Sequence, residues 1–340
     1  MKIMQLLAGN EDGGLEKHVI ELSHQLASSG IEVCVVAHPD FAIHFKALCF
    51  IPLDLTKSRY NPLVLLKLYR LIQRIQPDII HAQANKATQM VISLKRFIPC
   101  KVVATLHNYK KSLHAFEKSD FVITVSDKIG EKLATSHKCT IYNGIAYPEV
   151  EKMNLHEKYH LPANTFIICS VGRFVAVKHF DILIQAVSRL DKIHLVLVGD
   201  GYENDTLREL AKNLAIEKKI TFTGTLNKHD VVSVVSSSNL FVMTSEREGF
   251  PYTFVEAMFC KTPFLSTPVS DIEKFISHNY ITPHADIPAL ASKIKFIQKN
   301  YPVVREDFQS IFELSLQEFS IETMTRKTIA IYQRLIQCNS

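Results

Sequence analysis

Short apolar runs recur along the chain, and each is followed by a longer stretch whose apolar positions return every three or four residues. In the first half the runs fall near residues 2–7, 31–37, 78–82, 101–106, 121–125 and 138–142. In the second they fall near 166–171, 193–198, 220–223, 239–243 and 263–266. Many are continuous rather than alternating, as in Val33-Cys34-Val35-Val36 and Leu195-Val196-Leu197-Val198, which predicts strands covered by helices on both faces. Strand–helix alternation throughout predicts an α/β chain with parallel, doubly wound sheets. The polar segment from Pro148 to Asn164 breaks the pattern once, and a fresh strand starts at Phe166. At 340 residues the chain exceeds one average core, so two such domains facing across a cleft are expected. Ile321, Met324, Ile331 and Leu335 stand at helical spacing and predict a closing helix from Ile321 to Ile336.

One stretch draws particular attention, Phe241 to Met258. A strand-like run ends at Thr244, a polar loop follows, and Pro251 is expected at the first helical position, where its missing N–H has no partner to lose. Glu248 falls on the loop, and Glu256 about a turn and a half into the helix. Ligands of open α/β sheets sit outside the carboxyl ends of strands, where this loop is expected. Two carboxylates there can accept hydrogen bonds from a polyhydroxylated ligand, or they are a solvated loop and an ordinary helix-surface residue.

Gly9, Gly13, Gly14, Gly144, Gly172, Gly199, Gly201, Gly224 and Gly249 all follow predicted strands, whereas Gly30 fits a helix C-terminus. Strand-end glycines serve tight turns or close approach of backbone to a ligand, typically phosphate at a helix N-terminus. Val171-Gly172-Arg173 through Lys178 places two cations at such a turn, able to hold a diphosphate and stabilise its charge. Gly199-Asp200-Gly201 lacks the third glycine of the dinucleotide fingerprint, since Asn204 stands there, and the loop Gly9 to Gly14 misses that spacing too. Neither a P-loop nor a nucleophile elbow is present. His156-Glu157-Lys158-Tyr159-His160 matches the zinc-peptidase pattern, but it lies in the polar interdomain stretch and stops at Leu161-Pro162. With no Asp-x-Asp pair, no metal site is expected. His107 ends the run from Val102 and meets the cleft, either to bond substrate hydroxyls or as a satisfied structural histidine.

Composition narrows the setting. Charged residues are 21% and hydrophobic ones 47%, as in a globular protein, and no apolar run approaches the ~20 residues that span a bilayer. Lys2-Ile3-Met4-Gln5 opens without a secretory pattern. The seven cysteines are scattered, odd in number and never spaced as C-x-x-C, which fits reduced cytoplasmic thiols. The net charge of +5 is uneven: residues 86, 95, 96, 101, 110, 111 and 118 are basic, against one acid in that span, Glu117. That is a solvated face or one drawn to an anionic membrane or acceptor. Nucleic acid is not expected, for want of a binding motif.

Together these motifs resemble the retaining glycosyltransferases of family 4, which have the GT-B fold of two Rossmann-like domains. The likeness runs through Gly13-Gly14, Pro77 to Ala82, Thr105-Leu106-His107-Asn108, Val125-Ser126, Tyr142 to Ile145, the Gly172-Arg173…Lys178 turn, Gly199-Asp200-Gly201 and Phe222-Thr223-Gly224. Its most specific piece is the E-x7-E signature from Glu248 to Glu256. The terminal segment Phe319-Ser320…Tyr332 is similar to the family's helix that crosses back onto the first domain. The resemblance implies an acceptor-binding domain over 1–155 with about 321–340, and a nucleotide-sugar-binding domain over 156–320.

By the same resemblance Arg173 and Lys178 would bind the donor diphosphate and stabilise the leaving group without metal. Glu248 would contact hydroxyls of the transferred sugar and Glu256 the ribose, while His107 would reach the sugar near the reacting centre. Backbone around Gly249-Phe250-Pro251 and at Gly13-Gly14 would approach sugar and phosphates, with Gly172 and Gly199 beside the donor. The expected substrate is a UDP-sugar, no cofactor is required, and the acceptor is a glycan or glycolipid of bacterial surface polysaccharide or lipopolysaccharide synthesis. The expected place is cytoplasmic, peripheral on the inner face of the cytoplasmic membrane. The chain departs from the family at Lys261, where glycine is usual, and at Pro268 to Glu273, usually glycine-rich. Rival readings are a GT-B nucleotide-sugar epimerase, a non-catalytic nucleotide-sugar-binding protein and a nicotinamide dehydrogenase.

Overall fold

The computed structural model describes residues 1–10 and 13–337, so Glu11, Asp12 and Cys338 of the sequence reading lie outside the described residues. The chain divides into two compact units, Met1–Ala146 with Glu318–Ser340, and Tyr147–Gln317. The division comes earlier than residue 155 because the polar segment is tied to the second unit. The Tyr147 ring lies 5.5 Å from that of Phe259, and Met153 N donates to Ser237 Oγ at 2.7 Å.

In the first unit, β1 (Lys2–Leu7), β2 (Glu32–Ala37), β3 (Cys49–Pro52), β4 (Ile79–Gln83), β5 (Lys101–Leu106), β6 (Phe121–Thr124) and β7 (Lys138–Thr140) form one parallel sheet in the order β3-β2-β1-β4-β5-β6-β7. Successive side chains of β1 go to opposite faces. Ile3 and Leu7 join the core under the helices Gly14–Ser28 and Ile321–Gln337, and Met4 and Leu6 the core under Pro62–Ile75 and Ala84–Leu94. Burial on both faces is why the strands read as unbroken apolar runs. The sequence reading missed β3, a four-residue edge strand ending in proline, and it drew β7 two residues too long.

The C-terminal helix belongs to this unit through backbone contacts at residue 145. Ile145 N donates to Phe319 O, and Ile321 N to Ile145 O, both at 3.0 Å. A Cβ on Gly144 would fall 2.3 Å from the Ser320 carbonyl oxygen, so only glycine admits the returning chain.

In the second unit, β8 (Phe166–Val171), β9 (Ile193–Val198), β10 (Ile220–Phe222), β11 (Leu240–Met243) and β12 (Phe264–Ser266) form a parallel sheet ordered β10-β9-β8-β11-β12. The loop after β9 packs tightly on the loop after β8. A Cβ on Gly199 would meet Gly172 O at 2.0 Å, and one on Gly201 would meet Phe174 O at 2.4 Å. The peptidase-like His156 and His160 do not share a helical face. The helix ends at Lys158, His160 has φ of 53°, and His156 Nε2 bonds the Thr165 carbonyl at 2.9 Å.

Two helix ends show what glycine does here and what replaces it. After Gly14–Ser28, Gly30 takes φ of +81°, with Gly30 N on Ala27 O and Ile31 N on Leu26 O, the Schellman pattern. After Tyr252–Phe259 the same pattern recurs, with Lys261 N on Met258 O and Thr262 N on Ala257 O, but the left-handed residue is Lys261 at φ of 55°. Where the sequence departs from the family's glycine, the backbone keeps the left-handed turn.

Candidate active site

Strand order in the second sheet reverses between β8 and β11, and at such a switch point the loops leaving the carboxyl ends diverge to open a crevice. Both loops there carry residues singled out from the sequence. The Thr244 hydroxyl reaches the carbonyls of Lys178 and His179, each at 2.9 Å, and Glu246 N donates to Val177 O at 2.9 Å. These bonds hold the loop after β11 against the loop after β8. Across them Lys178 Nζ donates to Glu248 Oε1 at 2.6 Å, with side-chain exposures of 23% and 16%. Shielding of that degree makes the pair stronger than a surface ion pair, because solvent screens it less. Arg173 lies exposed on the same loop as Lys178.

The acidic loop is anchored behind. Thr267 Oγ1 donates to Ser245 O at 2.6 Å, and Ser270 Oγ donates to Gly249 O. Ser270 itself has φ of 51°, so in the segment lacking the family's glycines a serine adopts a left-handed backbone and its hydroxyl bonds the neighbouring loop. Phe250 is buried against Phe254 and Phe275, an anchor for the loop rather than an open face. Pro251 caps the helix with ψ of 125° instead of occupying its first turn, so the helix opens at Tyr252. Glu256 follows within that helix, half-buried. Ser245, just ahead of the loop, buries a hydroxyl with no protein partner among the described residues, a feature that sequence reading did not single out.

His107, Gly13 and Gly14 lie in the first unit. His107 follows the carboxyl end of β5; its Nε2 lies 2.8 Å from Gln83 Oε1 at the end of β4, and its ring is edge-on to His18 at 4.7 Å. His18 Nδ1 in turn lies 3.2 Å from Asn143 Oδ1. Burial drives the imidazoles neutral: His18 falls to about 4, and His107 goes well below the usual range, helped by His18, His81 and Lys110. Gly13 stands at the N-terminus of the helix Gly14–Ser28, but the buried carboxylate of Glu16 lies beside it. A Cβ on Gly13 would be 3.2 Å from Glu16 Oε2, and one on Gly9 2.7 Å from Glu16 Oε1. An acid in the first turn interacts favourably with the positive end of the helix.

The two family models that this chain matches are both of glycosyltransferases. Residues 12–146 match the family model for Glycosyltransferase Family 4, and residues 151–310 the model for Glycosyl transferases group 1. The lipopolysaccharide core biosynthesis glycosyltransferase LpsE of Rhizobium meliloti is 28% identical over 279 residues, covering 78% of this chain and 79% of that protein. The N-acetyl-alpha-D-glucosaminyl L-malate synthase of Bacillus anthracis is 25% identical over 93% of each chain. Among solved structures, a Rickettsia africae glycosyltransferase superposes with a TM-score of 0.85 at 20% identity, covering 100% of this chain and 99% of that one. Anabaena HepE in complex with UDP superposes with a TM-score of 0.86 at 18% identity, covering 98% and 100%. The chain is a glycosyltransferase of the GT-B fold, similar to family 4.

Proposed function

We propose that this chain moves a sugar from a nucleotide-diphosphate donor, a UDP-sugar, to a glycan or glycolipid acceptor of bacterial surface polysaccharide, with retention of configuration and without a metal ion. The observation that carries the reading is the Lys178–Glu248 pair, which joins the two loops at the switch point of the second sheet. An ammonium has three donors, so Lys178 can keep Glu248 and still bond a phosphate oxygen. With Arg173 it supplies the positive charge that a departing diphosphate needs. In this reading Glu248, bonded to Lys178, accepts hydroxyl hydrogens of the sugar, and Glu256 those of the ribose. In the proposed step the bond from the anomeric carbon to the diphosphate breaks, and the acceptor oxygen bonds that carbon from the same face. The acceptor proton passes to the diphosphate oxygen, so no protein base is consumed.

The relatives named for lipopolysaccharide core and O-antigen biosynthesis, and the neighbour bound to UDP, support the substrate classes. Peripheral contact with an anionic membrane is part of the proposal. No helix among the described residues is long and apolar enough to cross a membrane. Residues 55–77 contain five basic residues and no acid, and Tyr60, Leu63, Leu66 and the nearby Phe97 are exposed. In the 86–118 run, by contrast, Lys95 is bound to Asp120 and Lys86 to the Thr56 carbonyl, so those cations are partly committed within the fold.

The test is a panel of nucleotide sugars incubated with a lipopolysaccharide-core or polyprenyl-linked acceptor, followed by analysis of the products. Transfer with the donor's anomeric configuration supports the proposal. An inverted product, or an isomerised sugar formed from donor alone, contradicts it.

A further inference from the structure

One face of the first sheet carries a row of polar side chains beneath the C-terminal helix. Gln5 of β1, His81 and Gln83 of β4 and Thr105 of β5 are all buried on that face, as is Tyr332 of the helix Ile321–Gln337. Gln5 stands in register with His81, and Gln83 with Thr105. The bonds form an unbroken chain. Tyr332 Oη lies 2.6 Å from His81 Nδ1, and His81 Nε2 lies 2.6 Å from Thr105 Oγ1. Gln5 Nε2 lies 3.4 Å from both Tyr332 Oη and His81 Nδ1, Gln83 Nε2 donates to Gln5 Oε1 at 2.9 Å, and Gln83 Oε1 meets His107 Nε2 at 2.8 Å.

Two arrangements of protons make every bond of this chain and also give the Tyr332 hydroxyl hydrogen an acceptor. In the first, His81 Nε2–H donates to Thr105, and Tyr332 O–H donates to His81 Nδ1. The tyrosine oxygen then accepts from Gln5, Gln5 accepts from Gln83, and Gln83 Oε1 accepts from His107 Nε2–H. In the second, His81 carries its proton on Nδ1 and donates to Tyr332, whose hydroxyl donates to Gln5 Oε1. Both amides are then reversed, Gln83 donates to His107 Nε2, and His107 carries its proton on Nδ1. The amide orientations in the structure are those of the first arrangement. His107 Nδ1 has no protein partner among the described residues.

We propose that Tyr332, Gln5 and Gln83 are positioning residues that lock His107 as the Nε2–H tautomer, so that it offers Nδ1 as a hydrogen-bond acceptor. A tyrosine on the last helix thereby decides whether the imidazole accepts or donates at its open nitrogen. An accepting nitrogen takes a hydrogen bond from a hydroxyl and rejects a group that can only accept. A neutral ring is required, and burial provides it: His81 falls to about 3 and His107 well below its ordinary range. Tyr332 stays protonated because burial raises its phenol. The consequence for turnover rests on the proposed transfer reaction, whereas the tautomer itself does not.

The experiment is nitrogen-15 histidine NMR on the full chain at neutral pH, with His107 assigned by His107→Gln. Protonated and bare ring nitrogens have well-separated shifts. The wild type should show Nε2 protonated and Nδ1 bare. Tyr332→Phe and Gln83→Leu should populate both tautomers, moving the two shifts toward each other, whereas Gln83→Glu, which can only accept, should preserve Nε2–H. In the transfer assay Tyr332→Phe should lose up to about tenfold in turnover, the scale of one hydrogen bond. A wild-type His107 protonated on Nδ1 overturns the proposal, and so does a tautomer unmoved by Tyr332→Phe. A tautomer that responds as stated, in a protein that transfers no sugar, supports the positioning network and counts against the transfer reading.

Discussion

Lys178 and Glu248 come from loops that follow different strands, and their side chains meet at 2.6 Å. Neither residue is remarkable alone. Their meeting follows from the sheet order, since β8 and β11 are neighbours and their carboxyl-end loops leave side by side.

Replacing Lys178 by Ala removes the cation proposed to hold the diphosphate and leaves Glu248, partly shielded, without its partner. Turnover in the transfer assay should fall at least about tenfold, and Arg173→Ala should do the same. Arg173 is exposed, so its variant should unfold at the wild-type temperature. Near-normal turnover in either variant contradicts the assigned roles.

Lys261 sits where the Schellman turn favours glycine, and a side chain in the left-handed region costs about 1 kcal/mol. Lys261→Gly should therefore stabilise the second unit by roughly 0.5–1 kcal/mol, read as a higher urea midpoint with an unchanged slope. A loss of stability would show that the lysine side chain makes a compensating contact.

Gly144→Ala drives a methyl into the Ser320 carbonyl. Because the obstacle is backbone, relief requires moving the returning segment. The variant should lose more than about 2 kcal/mol and expose the helix Ile321–Gln337 to limited proteolysis. Wild-type resistance would contradict the close approach.

The buried histidines set the acid limb of stability. An unfolded histidine titrates near 6.5, but His18 and His81 titrate at about 4 and about 3 when folded. Between those values the unfolded chain binds more protons, so stability rises with pH and levels off above 6.5. Each group contributes a slope approaching about 1.4 kcal/mol per pH unit inside its window. Urea unfolding at pH 7.5 and 5.5 should show a clear loss at the lower pH. Equal stability at both would mean that these rings titrate normally.

Much of this was legible beforehand. The strands and the helical closure of the chain were readable because parallel strands buried on both faces leave long apolar runs. Lys178 and Glu248 were readable because both follow such runs. The polar row was not: Gln5, His81 and Thr105 each look like one stray polar residue in an apolar strand. Their relation appears only when register sets them side by side beneath Tyr332. Glu16 was missed for a similar reason, since a first-turn acid on a helix ordinarily signals capping alone. The strand β3 is too short to show a period, and the unit boundary at residue 146 depends on contacts of Tyr147 and Met153 that spacing does not encode.

The most direct test of the account is calorimetric titration of the wild type and of Lys178→Ala with UDP in the presence of EDTA. The wild type should bind UDP without metal, and the variant at least about tenfold more weakly, the change expected on losing a charge-assisted bond to phosphate. Equal affinity in the two proteins, or wild-type binding that disappears with EDTA, would contradict it.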